Sequence, residues 1–183
     1  MTEFKFNKEK AIAAILYIAK KLKENGKDTD IHSICKILYF AEKKHLAVYA
    51  MPIVGDDYIA MQYGPVPSGI YDLVKSTRGA GSVSNPDIQE SFKVDGSAII
   101  LLKDPDLDEL SEADIFFIDK SLEENKGLPF NERTVKSHDL AWEKTPRNSK
   151  MDFCDIAEEG GASPEICDLI RLNAENEHFF DCV

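Results

Sequence analysis

YGPVPSGIYD, Tyr63 to Asp72, is the stretch on which the fold turns. Gly64 relieves the clash a proline imposes on the residue before it, Pro65 and Pro67 fix φ, and Ser68 offers a side-chain oxygen to open a helix. The run before it, Tyr58 to Tyr63, is apolar-rich and lacks a helical period, so the pattern predicts a strand over 58–63. It enters a stiff corner at 64–67 and leaves through a helix carrying Ile70, Tyr71, Leu73 and Val74. That helix is expected to stop at Gly79, with a loop from Gly79 to Pro86.

Upstream, Ile12, Ile15, Leu16, Ala19 and Leu22 recur at three- and four-residue spacing behind Asn7, predicting a helix over 8–25. Asp30 can cap a second helix reaching Ala50. Its apolar face holds Ile31, Ile34, Cys35, Leu38, Ala41, His45, Leu46 and Tyr49, with Lys36, Glu42, Lys43 and Lys44 expected elsewhere. Downstream, 91–94 and 98–103 read as a β-hairpin through a type I′ turn at Asp95-Gly96, and with 58–63 would make a three-stranded antiparallel sheet. Ser111 and Asp114 form a capping-box pattern before a helix to Asn125, another helix runs from Asn131 to about Asp139, and Ser163-Pro164-Glu165 opens a last one over 164–178. That last helix should bury Ile166, Leu169, Ile170 and Asn173. The expected fold is mostly α with a small antiparallel β-sheet, one domain over 1–183 with its core at 8–145 and a C-terminal helical extension at 150–183.

The chain has 183 residues with 22 basic and 33 acidic side chains, net charge −11. Such a charge repels polyanions, which argues against a nucleic-acid binder. The charge is uneven: +4 over residues 1–50, −6 over 51–110 and −9 over 111–183. Lys20, Lys21 and Lys23 could dock an acidic partner, whereas the acidic later segments could steer a basic one. Scattered Cys35, Cys154, Cys167 and Cys182, a charged start, and apolar runs far short of the roughly 20 residues a membrane span needs are read as a cytoplasmic protein with free thiols and no membrane contact.

Chemistry-bearing patterns are sparse. His32 and Cys35 share a helix face but supply only two of the four ligands zinc needs, so neither a metal nor another cofactor is expected. The acidic pairs Asp56-Asp57, Glu123-Glu124 and Glu158-Glu159 read as solvated faces. No glycine-flanked nucleophile or phosphate loop occurs. An enzyme would have to use Cys35 or His45 in a pocket beside the first two helices.

Leu38-Tyr39-Phe40-Ala41 with His45, Leu46, Ala47 and Tyr49, then Pro52, Ala60-x-x-Tyr63-Gly64-Pro65-Val66 and Ile70-Tyr71, resembles the Panacea, or SocA-like, domain. Ser137 and Trp142 in SHDLAWEKT are similar to that family's later Ser-x-x-x-x-Trp segment; Met61 and Ala50 depart from its pattern. The resemblance implies a non-catalytic bacterial antitoxin that neutralises a co-encoded toxin by direct contact. The alternative it implies is an adaptor presenting a bound protein to an ATP-dependent protease, some members occurring in phage contexts. The expected partner-binding residues are Tyr39, His45, Tyr63, Gly64, Pro65 and Trp142, on a monomer or homodimer.

Overall fold

The computed structural model describes residues 2–77 and 86–180; the loop expected at 79–86, apart from Pro86, and Cys182 lie outside them. Helix α1, Lys8–Glu24, begins where the Asn7 side chain accepts from the Lys10 amide, and α2, Ile31–Tyr49, where Asp30 accepts from that of Ser33. After α2 the chain forms strands β1, Tyr58–Met61, and β2, Gly64–Pro67, then α3, Ser68–Ser76, and α4, Pro86–Ser91. Strands β3, Phe92–Asp95, and β4, Ala98–Leu101, precede a 3-10 turn at Leu107–Glu109. Five helices follow: α5 Glu112–Asn125, α6 Phe130–Ser137, α7 Leu140–Lys144, α8 Phe153–Gly160 and α9 Pro164–Phe180.

The architecture is helix-dominated α+β, with α2 at its centre. One apolar cluster joins the buried face of α1 to Ile34, Ile37 and Leu38 of α2 and to Phe92, Phe117 and Ile118. A second, on the other side of α2, gathers Tyr39, Phe40, Leu46, Tyr58, Phe153, Ile156 and Ile170. Each fully buried side chain of this size contributes roughly 1.5–3 kcal/mol, so α2 is the element whose loss would dissolve both clusters. Residues after 145 pack back on this centre: the Asn173 side chain donates to the Ala50 carbonyl at 3.0 Å, and Glu177 accepts from the Lys5 amide at 3.0 Å.

Several expectations need correction. Because α2 is surrounded, Lys36 and Glu42 are buried at 1% and 0% exposure, while Tyr49, assigned to its apolar face, is half exposed. The expected strand over 58–63 and corner over 64–67 form a tight hairpin, β1 pairing with β2 from Tyr58↔Pro67 to Met61↔Gly64. Two separate two-stranded sheets replace the expected three-stranded one. The free edge of β1 is instead taken by 148–151, where Met151 donates to the Tyr58 carbonyl at 2.8 Å and Ala60 to that of Ser149 at 3.0 Å. In the β3–β4 turn the central residues are Gly96 and Ser97, and positive φ is confined to Gly96, the type II′ pattern rather than I′. Helix α3 ends at Ser76, before the glycines, and Ser68 does not cap it. The Asp56 carboxylate does, accepting from the Gly69 and Ile70 amides at 2.8 Å each, which also removes Asp56 from the solvated acids. In α9 the buried positions are Cys167, Ile170 and Ala174, with Leu169 turned outward. The capping box forms as expected: Ser111 Oγ accepts from the Asp114 amide and Asp114 from that of Ser111.

Candidate protein interface

The hairpin β1–β2 is held from beneath by buried polar groups. The Lys36 ammonium donates to the Pro65 carbonyl at 2.7 Å, and burial pushes its pKa down to about 8. Gly64 has φ 91°, and a Cβ there would run into Ser137 Oγ and lie 2.8 Å from Lys36 Nζ. A glycine at 64 is therefore demanded twice, by backbone conformation and by the close approach of α2 and α6.

A second line of contacts leads from the core to the indole. Tyr39 Oη donates to the Asp139 carboxylate at 2.8 and 3.0 Å, and the Tyr39 ring meets that of Tyr58 edge-on with centroids 5.3 Å apart. Asp139 also caps α7, accepting from the Trp142 amide at 3.2 Å, and pairs with Lys43 at 3.0 Å. Trp142 Nε1 donates to the Met61 carbonyl at 2.9 Å, while its ring stacks on His138 at 3.7 Å and 7°. The indole is thus fixed on its edge by the hairpin and on its face by His138.

Aromatic side chains continue outward past the hairpin tip. Tyr63, 54% exposed, meets the ring of Phe130, 43% exposed, at 5.5 Å, and Phe130 lies against His32 at 4.0 Å. His32 Nε2 lies 3.2 Å from Thr134 Oγ1. Burial, then Lys36 and Arg133, pull its pKa down to about 4, so the ring is neutral at ordinary pH. Val135 and Leu140, on α6 and at the start of α7, are also exposed.

Among the residues expected to meet a partner, Tyr63 reaches solvent and Trp142 is half-buried, whereas Tyr39, Gly64 and Pro65 are buried and support them. His45 lies elsewhere: its Nδ1 sits 2.8 Å from the Met51 carbonyl, its Nε2 3.4 Å from Asp114, and its ring against Phe117. Burial lowers the His45 pKa, so Lys10 at 2.7 Å is the charged partner of Asp114. Phe130, which directly flanks Tyr63, was not singled out by pattern, because a lone aromatic after Pro129 carries no period. The Cys35 thiol lines an apolar groove with Tyr63 and His32, but His45 does not, and burial pushes Cys35 up to about 12. The thiol in this groove is therefore protonated at ordinary pH, and the His32 imidazole beside it, with its pKa pulled down to about 4, is a weak base. Among the described residues no three His, Cys, Asp or Glu side chains converge as a metal site, and no helix is long and apolar enough to cross a membrane.

Comparison with curated proteins and with solved structures gives no match. The family model described as antitoxin SocA-like, Panacea domain, matches residues 34–143, from inside α2 nearly to the end of α7, and so takes in the hairpin, its buried supports and the aromatic face. The chain belongs to the SocA-like antitoxin, or Panacea-domain, family.

Proposed function

We propose that this protein is an antitoxin that neutralises a co-encoded protein toxin by direct binding, through the face built on Tyr63, Phe130 and Trp142. The observation that carries the reading is the contrast between that surface and its foundation. The exposed rings of Tyr63 and Phe130 and the half-buried Trp142 gather around a hairpin fixed by Lys36, Gly64, Ser137 and Asp139, groups that are buried or nearly so. Rigid aromatic anchors that need little ordering on binding are what protein interfaces use as hot spots.

Co-expression with the adjacent reading frame tests it. The neighbour arrests growth alone, growth recovers when this protein is present, and the two co-purify. A neighbour harmless alone, or rescue without complex formation, contradicts the reading. Following the toxin's half-life in the same cells separates sequestration, in which its level holds, from an adaptor role, in which it falls only while an ATP-dependent protease is active.

A further inference from the structure

A concavity of about 960 Å³ lies beside the aromatic face, bounded by the α1–α2 connection, the β3–β4 turn and the start of α6. Its charged lining is Lys23, Lys27, Lys126 and Arg133 against Asp28 and Asp30, a local positive excess on a chain of net charge −11. Of these, Asp30 caps α2 and Lys126 is paired with Glu123 at 2.6 Å, so Lys23, Lys27 and Arg133 are the cations that carry the excess. Arg133 is only 7% exposed, yet among the described residues no hydrogen bond or ion pair holds its guanidinium, and its Nε is buried without a partner. Asp30 compensates it at longer range only. With its Nε buried and unpaired and its terminal nitrogens free of any acceptor among the described residues, the guanidinium is left to a carboxylate that docks on it in the bidentate geometry its planar fork favours.

A smaller apolar groove of about 350 Å³ shares Ile31 and His32 with this concavity and is walled by Met61, Tyr63, Val66 and Tyr71. Phe130 lines the larger space and contacts both His32 and Tyr63, so the two spaces meet at the aromatic face. We infer that the joined concavities receive an acidic segment of the partner protein, with a carboxylate on Arg133 and an apolar side chain in the groove beside Tyr63. The inference rests on the reading that the protein binds a toxin and specifies the chemistry of the toxin's contacting segment. Charge complementarity selects acid over base for this site. The overall charge of −11 disfavours a nucleic acid, whose long phosphate backbone would meet the acidic remainder of the surface.

The test titrates the full, ¹⁵N-labelled chain with a capped acidic hexapeptide, Asp-Glu-Leu-Phe-Glu-Asp, with its Lys-for-acid counterpart, and with a six-nucleotide thymidylate. The acidic peptide is expected to give saturable shifts at Ile31, His32, Tyr63 and Phe130, and the variant Lys23→Glu/Lys27→Glu to weaken it at least tenfold. Arg133→Gln should weaken it further, and the exposed lysine pair keeps the test decisive if that buried substitution unfolds the chain. Absence of saturable shifts, equal binding of the basic peptide, or tighter saturation of the same residues by the oligonucleotide overturns the inference. With the toxin itself, equal affinity for wild type and Lys23→Glu/Lys27→Glu overturns the acidic-segment inference and leaves the antitoxin reading standing. A toxin that wild type does not bind overturns the antitoxin reading, and the peptide titration still decides the concavity.

Discussion

The ammonium of Lys36 and the carbonyl of Pro65 lie 2.7 Å apart, a hydrogen bond that ties the buried centre of α2 to the second strand of the hairpin. It places a charge inside the protein directly under the surface proposed for partner binding. Among the described residues no carboxylate pairs with that ammonium, so the carbonyl dipole and longer-range attraction from Asp139 stand in for a counter-ion.

That arrangement has a pH signature. A lysine whose pKa falls from 10.5 to about 8 on folding binds fewer protons folded than unfolded between those values, so its contribution to stability improves as pH rises from about 8 to 10.5. Lys36→Met removes this dependence. The stability of wild type relative to the variant should therefore rise from pH 7 to pH 10, by up to about 3 kcal/mol at 1.4 kcal/mol per unit. Urea unfolding of both proteins at a series of pH values measures it, and parallel curves would show that the ammonium is not held as described.

Glu42 supplies the opposite slope. Fully buried, with the Ile53 amide donating to its carboxyl oxygens at 3.0 and 3.2 Å, it is pushed up to about 8 chiefly by burial. Because the folded value exceeds the unfolded one, its contribution is complete below about pH 4.5 and is lost as pH rises through 8. Glu42→Gln keeps the shape and cannot titrate. Wild type should lose stability relative to Glu42→Gln between pH 5 and 9, as read from thermal midpoints in matched buffers.

These two residues mark the limit of pattern reading. Helix ends were legible where capping is local: Asn7, Asp30, and the Ser111–Asp114 box all act within three residues. Lys36 and Glu42 read as lying off the apolar face because charge at a helical position ordinarily means solvent, and only the packing of helices all round α2 reverses that. Pro65 and Pro67 hid a strand, since proline cannot donate to a ladder, yet β2 pairs on one side only and tolerates them. Asp56 caps α3 from 13 residues upstream of Gly69, a reach no local motif encodes. Helices α7 and α8 carry local signals, Asp139 and Asp152 as N-caps, and α7 at 5 residues is too short for periodicity to declare. On the proposed partner-binding face, Tyr63 and Trp142 are legible in the sequence, while Phe130, the neighbour of Tyr63, is identified only by contact across the fold.

Gly64→Ala should be destabilising by about 2–4 kcal/mol, combining a left-handed backbone with a clash against Ser137 Oγ. If the clash is the larger part, Ser137→Ala in the same chain recovers a measurable fraction. Chemical denaturation of the single and double variants checks this, and a tolerated Gly64→Ala would contradict the described approach of α6 to the hairpin.

The most direct test of the central claim is the affinity of the proposed co-encoded toxin for a set of surface variants, measured by calorimetry alongside thermal midpoints. Tyr63→Ala/Phe130→Ala is expected to weaken binding at least tenfold, about 1.4 kcal/mol, with the fold intact. Phe116→Ala, which removes an equally exposed ring that packs on Phe117, should leave the affinity at the wild-type value. An unchanged affinity for the Tyr63/Phe130 variant, or an equal loss from Phe116→Ala, would contradict the assignment of the hairpin face as the toxin-binding surface.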